Sequence, residues 1–214
     1  MRLVYPSLIA ACLVLAGCAG SQPTRYAQLE SAPLLRPTLG DKHVPYRLNQ
    51  DVDWSRYTRV IVDPVAIYTG QDHQFEDVSE DEKQALADYM RKRFRDQLKT
   101  RFRIVPDAAP QTLRLKLTLT GAKGTTAGIS TFTRFDIGGG PYNWYQSVAG
   151  GEGTFTGSVS YAVEIFDAQS QQLLEAFVAK QYPNSMNVGA TMGRMSAAQV
   201  GIDKGATALA AELQ

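Results

Sequence analysis

Few residues in this 214-residue sequence have the side chains that nucleophilic or metal-assisted catalysis needs. It contains two cysteines, Cys12 and Cys18, and two histidines, His43 and His73. A zinc hydrolase requires histidines whose spacing brings the imidazoles together, and no His-Glu-x-x-His motif is present. A serine-hydrolase elbow requires Gly-x-Ser-x-Gly, which neither "GISTF" nor "TGSVS" supplies. We therefore expect a non-enzymatic protein that uses no cofactor and no metal ion.

Acidic side chains are the remaining candidates for chemistry. The run from Asp72 to Glu82 lacks the alternating oxygen donors and the central glycine of a calcium-binding EF-hand loop. It is typical of a solvated loop whose carboxylates favour the start of a following helix. Two carboxylates brought together by the fold are an arrangement that a sequence does not reveal. Catalysis by such a pair therefore stays open as the third alternative.

Cys18 follows a segment with the features of a secretory signal. Arg2 supplies the positive charge, and residues 3–17 supply an apolar run. This run is shorter than the roughly 20 residues of a membrane-spanning helix, and Pro6 interrupts it. We expect cleavage before Cys18, which removes Cys12 and leaves Cys18 as the single thiol of the mature chain.

The four residues Leu15-Ala16-Gly17-Cys18 resemble the bacterial lipobox. The resemblance implies that Leu15, Ala16 and Gly17 are recognised by the signal peptidase, and that the Cys18 thiol and new amine are acylated. One acyl chain binds a membrane only marginally, at about 0.8 kcal/mol per buried CH₂, whereas two or more bind stably. We expect membrane attachment through the acyl chains on Cys18. The alternative is a plain secretory signal with an incidental cysteine.

The residue that follows Cys18 indicates the membrane to which the protein is sent. Ala19 resembles the pattern of lipoproteins that are exported to the outer membrane. We therefore expect a lipid-anchored protein on the periplasmic face of the outer membrane, with the inner membrane as the less favoured location.

The charge balance excludes one large class of partners. The chain has 22 Lys and Arg residues against 21 Asp and Glu residues, a formal net charge of +1. Because Arg2 belongs to the leader, the exported protein is formally neutral. A nucleic-acid-binding protein carries a basic excess that bulk composition reveals. We expect no nucleic-acid partner.

Composition divides the chain into a leader, a tether and a domain. The expected boundaries are 1–17 for the cleaved signal peptide, 18–50 for the acylated N-terminus and tether, and 51–214 for a single domain. The apolar residues of the tether predict that its later part lies against the domain surface; they are Tyr26, Leu29, Leu34 and Leu35.

Hydrophobic periodicity predicts the elements of this domain. A β-branched run at 59–68 indicates a buried strand, in which Pro64 marks an edge or a bulge. Ser79 and Glu82 form a capping box before an amphipathic helix. Alternating patterns predict the long strands, and an apolar period predicts the last helix; these segments are 113–120, 153–166, 173–181 and 196–213. We expect a two-layer α+β domain, with a mainly antiparallel sheet and both helices packed on one face.

Two surfaces are candidates for binding. Residues 121–153 contain nine of the 18 glycines and several aromatic residues, among them Phe132, Phe135, Trp144 and Tyr145. This composition suits protein or glycan recognition, and a locally packed hairpin is the alternative. The end of the long helix is basic, and Arg91, Arg93 and Arg95 could contact anionic lipid headgroups or an acidic partner. The alternative there is a solvated helix face.

The chain after the tether resembles the bacterial lipoprotein family catalogued as domain of unknown function 3313. The resemblance is in "DWSRYTRVIVDPV", "EKQALADYMRKRFRDQL", "LRLKLTLTGA" and "SYAVEIFDAQSQQLLEAF". It implies a setting in the Gram-negative cell envelope and supplies no catalytic residues. We expect an assembly, structural or binding component with an envelope protein or glycan as partner. The alternative is a carrier of a small ligand or lipid fragment in a pocket between sheet and helices.

Overall fold

The computed structural model describes residues 22–48, 50–124, 157–183 and 193–214, which form a mixed α+β domain. Its strands and helices are β1 (Arg36–Pro37), β2 (Tyr46–Leu48), β3 (Arg59–Val62), β4 (Ala66–Ile67), β5 (Gln74–Glu76), α1 (Glu80–Leu98), β6 (Arg103–Ile104), β7 (Thr112–Lys123), β8 (Ser158–Asp167), β9 (Leu173–Gln181) and α2 (Ser196–Glu212). In this described part of the chain, nine strands form one sheet in the order β1-β2-β9-β8-β7-β3-β6, and β4 and β5 also pair with β7.

The centre of the sheet consists of three long antiparallel strands. In β7 the leucines face the helices while Arg114, Lys116 and Thr118 point to the opposite face, as the alternation predicted. β8 pairs with both β7 and β9, and almost all of its residues are buried. The turn between β8 and β9 is closed by Asp167, whose Oδ1 accepts hydrogen bonds from the backbone of Gln169 and Ser170. The predicted hairpin is confirmed.

Short strands flank this centre. β3, β4 and β5 run parallel to successive parts of β7. The run at 59–68 predicts one strand with an edge or bulge at Pro64, but it forms two short strands, β3 and β4, with Pro64 between them. Proline lacks the N–H group that a ladder position requires, which accounts for the break. The outermost strands, β1 and β6, are two residues long. Short edges with arginine or proline disfavour pairing with another chain.

Both helices cover one face of the sheet, as predicted. α1 buries Leu86, Met90, Phe94 and Leu98, which recur at four-residue spacing. α2 packs beside α1 and buries Ile202 and Leu209 against β8 and β9. The buried apolar side chains of both helices and of the facing strands form a single core.

The capping box at the start of α1 is confirmed. Ser79 Oγ accepts a hydrogen bond from the backbone N–H of Glu82, and the Glu82 carboxylate accepts one from the backbone N–H of Ser79. Together they satisfy two of the N–H groups that have no partner within the helix.

Replacing Ser79 by alanine is expected to lower the free energy of unfolding by about 1 kcal/mol, because one helix N–H loses its acceptor. Urea denaturation of the exported domain measures this loss. Ser79→Asp is the matched control, since aspartate also provides a capping oxygen and should retain most of the stability. Equal stability of Ser79→Ala and Ser79→Asp would contradict a stabilising cap.

Residues 22–35, here called the N-terminal strap, cover part of the other face of the sheet. Tyr26, Leu29 and Leu35 are buried in a second apolar cluster with Ala162 and Val178, whereas Leu34 is exposed. The strap continues into β1 and β2, and β2 pairs with β9. The described part of the segment assigned to the tether is thus packed on the domain and contributes two strands to its sheet.

Candidate functional site

The described residues include one of the predicted binding surfaces. Arg91, Arg93 and Arg95 lie in the second half of α1. The lipidation site Cys18, the recognition residues Leu15, Ala16 and Gly17, and the aromatic residues Phe132, Phe135, Trp144 and Tyr145 lie outside the described residues.

Arg93 joins the two helices. Its Nε lies 2.6 Å from Oδ1 of Asp203 in α2, and the Tyr89 hydroxyl donates to the same carboxylate at 3.0 Å. The hydrogen bond with Asp203 raises the pKa of the Arg93 guanidinium. The pair is about one-third exposed on each side, so solvent screening makes its contribution to stability modest. Arg93 is therefore engaged within the domain.

Arg91 and Arg95 lie on the other flank of α1. At 100° per residue, residues 91 and 95 fall on the side of the core stripe opposite to residue 93. Nε of Arg91 is buried and has no hydrogen-bond acceptor among the described residues. Asp96 pairs with both Lys92 and Lys99 nearby. The three arginines thus belong to two flanks of the helix and do not form one continuous patch.

A polar network attaches the N-terminal strap to the sheet. The Tyr68 hydroxyl donates to Oδ1 of Asp72, and Thr24 Oγ1 donates to Oδ2 of the same carboxylate, both at 2.8 Å. The Tyr26 hydroxyl donates to Gln74 Oε1 at 3.2 Å. Partial burial opposes ionisation of Asp72, but the two hydroxyl hydrogen bonds prevail and lower its pKa. Burial raises the pKa of Tyr26 to about 12. The start of the strap is therefore fixed in place by hydrogen bonds.

Two surface cavities lie on the domain. One, of about 300 Å³, runs beside the strap, and its wall includes Lys116, Glu30 and the buried Glu164. Lys116 Nζ lies 2.7 Å from Glu30, and Glu164 accepts a hydrogen bond from the backbone N–H of Ser31. The other, of about 470 Å³, lies at the β8–β9 turn and is mostly polar; its lining includes Asp51, Asp53, Arg56, Tyr57, Gln169 and Gln172. Neither cavity lies between the sheet and the helices.

A buried carboxylate lies near the β2 edge of the sheet. Glu175 of β9 is 2.6 Å from Arg47 of β2, and Arg47 also pairs with Glu212 at the end of α2. Burial and the nearby Glu212 carboxylate raise the pKa of Glu175 to about 7, although Arg47 opposes the shift. Two carboxylates share one guanidinium here, so one negative charge is uncompensated when both carboxylates are ionised.

Glu175 is expected to make the domain more stable in mild acid than at pH 8. The pKa of Glu175 in the folded state lies above its ordinary value of 4.5. Its contribution to the free energy of unfolding is therefore complete below pH 4.5 and is lost as the pH rises through 7. The loss is on the order of 2 kcal/mol. Urea denaturation at pH 5 and pH 8 measures it, and Glu175→Gln should remove this part of the pH dependence.

Glu212→Gln tests the cause of the shift. Removing the repelling carboxylate should lower the pKa of Glu175 and move the change in stability to lower pH. Parallel pH profiles of the wild-type protein and Glu175→Gln would show that Glu175 does not titrate in this range.

The sequence reasoning missed this cluster, although one signal was available. In the run "LLEAFVAK", Glu175 shares its face with Phe177 and Ala179, so the period of two predicts a carboxylate on the helix-facing side. Its partners, Arg47 and Glu212, come from segments far away in the chain, and no local pattern indicates them.

Within the four described ranges, no three His, Cys, Asp or Glu side chains are grouped in a way that could bind a metal ion. Over the same residues, no helix is both long and apolar enough to cross a membrane.

Comparison with solved structures gives distant matches. A single-residue variant of the PelC dodecamer from Paraburkholderia phytofirmans is 16% identical, with a TM-score of 0.40 over 72% of this chain and 87% of that one. Protein XCC0632 from Xanthomonas campestris is 8% identical, with a TM-score of 0.37 over 73% and 81%. A neuraminyllactose-binding hemagglutinin homolog from Helicobacter pylori is 11% identical, with a TM-score of 0.35 over 78% and 87%.

Sequence comparison identifies the family. No curated protein matches the chain. The family model described as protein of unknown function (DUF3313) matches residues 25–209, a range that includes most of the strap, all of α1, most of α2 and every described strand of the sheet. The resemblance noted in the sequence is thereby confirmed, and the chain belongs to the DUF3313 family.

Proposed function

We propose that this protein is a non-enzymatic lipoprotein of the Gram-negative cell envelope, anchored by acyl chains on Cys18 to the periplasmic face of the outer membrane. The observation that carries the proposal is the position of Cys18 between an apolar leader and the packed N-terminal strap. Three residues lie between it and Gln22, whose carbonyl accepts a hydrogen bond from the Gln74 side chain. The described part of the domain thus begins four positions after the residue that we expect to be acylated.

The domain acts in this proposal as an assembly, structural or binding component for an envelope protein or glycan. Close packing between sheet and helices supports this role over that of a carrier. Phe94 and Tyr161 are buried, and their rings meet edge to face with centroids 5.9 Å apart. Both cavities described above open on the surface, where a macromolecular partner can reach them.

Metabolic labelling combined with crosslinking tests both parts of the proposal. Cells that express the full-length chain are grown with radiolabelled palmitate, treated with a membrane-permeant crosslinker and fractionated. The label should enter the protein, and discrete crosslinked species should appear in the outer-membrane fraction. An unlabelled protein would refute the lipid anchor. A labelled protein without any crosslinked species would refute a binding role.

A further inference from the structure

Two large apolar side chains of the described residues are exposed, Leu34 and Leu39, and Leu39 is the more exposed of the two. Leu39 is 97% exposed, at the tip of the loop 38–45 that joins β1 and β2. This loop is ordered: Thr38 N–H donates to the Pro45 carbonyl, and Asp41 Oδ1 accepts from the N–H groups of His43 and Val44. The loop therefore presents a leucine to its surroundings in a fixed position.

The loop is also attached to the body of the sheet. The Lys180 N–H donates to the His43 carbonyl at 2.8 Å, and the His43 ring packs on Tyr182 with centroids 4.7 Å apart. These contacts place the loop at the carboxyl end of β9. Since β7 and β9 are both antiparallel to β8, the carboxyl end of β7 lies at the same end of the sheet. We call this end, marked by Lys123 and Gln181, the anchor end.

The chain leaves the described domain towards Cys18 at this anchor end. β5 pairs with the last residues of β7, Gly121 to Lys123, and Gln74 of β5 binds the carbonyl of Gln22. The chain from Cys18 to Gln22 is four residue steps long, which span at most about 14 Å when fully extended. An acyl anchor on Cys18 therefore brings the anchor end of the domain close to the lipid surface.

We propose that Leu39 contacts the lipid surface to which Cys18 is anchored, so that the loop 38–45 orients the domain on the membrane. This inference rests on the lipid anchor proposed above. β2 and β5 are four strand spacings apart, about 19 Å, so the loop forms a second point of contact beside the anchor. Lys42, three residues after Leu39 in the same loop, is exposed and suits phosphate headgroups. On the β5 side of the sheet, two of the acidic residues that begin at Glu76 are paired within the domain, Glu76 with Lys123 and Glu82 with Arg194.

The test places a polarity-sensitive NBD fluorophore at the loop. Full-length Leu39→Cys is produced in a Gram-negative host, labelled, and reconstituted in phosphatidylethanolamine and phosphatidylglycerol vesicles. Acylation blocks the Cys18 thiol, so only the introduced thiol reacts. The matched control is Gln169→Cys, an exposed position in the β8–β9 turn at the opposite end of the sheet. Lipids with a doxyl group close to the headgroup should quench the fluorophore at position 39 roughly twofold and leave that at position 169 unchanged.

The outcomes separate the two proposals. A wild-type protein that does not float with the vesicles would refute the lipid anchor. Flotation with equal quenching at positions 39 and 169 would overturn the contact of Leu39 and leave the anchor intact. Shielding of position 39 in isolated envelopes but not in pure lipid vesicles would also overturn it, since a protein would then cover the loop.

Discussion

Replacing Cys18 by alanine is expected to abolish acylation and, once the leader is removed, to move the protein from the membrane pellet to the soluble periplasmic fraction. The thiol is the attachment point for two of the three acyl chains that a lipobox implies. Each buried CH₂ contributes about 0.8 kcal/mol, so removing two chains shifts the partition by many orders of magnitude. Cell fractionation followed by immunoblotting measures the change. Cys12→Ala is the matched control, because it removes the other cysteine of the chain and should leave the protein in the pellet.

A second version of this experiment separates the lipid from the leader. An uncut Cys18→Ala precursor keeps the apolar run at 3–17, which itself binds membranes. In the second version, residues 1–18 are therefore replaced by an unrelated cleavable secretory signal in front of Ala19. This form should be fully soluble in the periplasm. Its persistence in the membrane pellet would refute the acyl anchor as the means of attachment.

Elements that depend on local patterns were predictable from the sequence. The alternation of leucines at 113–119 requires one buried face, and β7 has it. The capping box at Ser79 and the four-residue spacing up to Leu98 defined α1 almost to the residue. In both cases, neighbours along the chain determine the structure, so a short window contains the information.

Features that depend on distant residues were not predictable in the same way. The strap follows no regular period, and its position is determined by single hydrogen bonds such as those from Thr24 and Tyr68 to Asp72. The separation of the three arginines at the end of α1 was predictable, because helical geometry alone places Arg93 on a different flank from Arg91 and Arg95. Only the contact with Asp203 in α2 identifies which flank faces the neighbouring helix.

The largest expected effect on stability comes from Gly205→Ala. By helix propensity alone, this change in the middle of α2 would stabilise the protein by about 1 kcal/mol. However, a Cβ at position 205 would overlap the hydroxyl oxygen of the buried Tyr161 and lie 2.8 Å from its Cζ. The Tyr161 ring cannot move freely because it packs against Phe94. We expect a net loss of about 2–4 kcal/mol in the free energy of unfolding, measured by urea denaturation.

Tyr161→Phe identifies the clashing atom. It removes the hydroxyl oxygen and keeps the ring, so the double variant should recover much of the stability that Gly205→Ala loses. Recovery is incomplete because Cζ remains within 3 Å of the added methyl group. Thr207→Ala, at an exposed position of the same helix, controls for propensity. A stable Gly205→Ala protein would mean that α2 lies farther from β8, and failure of Tyr161→Phe to rescue would place the clash elsewhere. The first of these results would argue against the close packing of α2 on the sheet, and with it against the filled core that supports a binding role over that of a carrier.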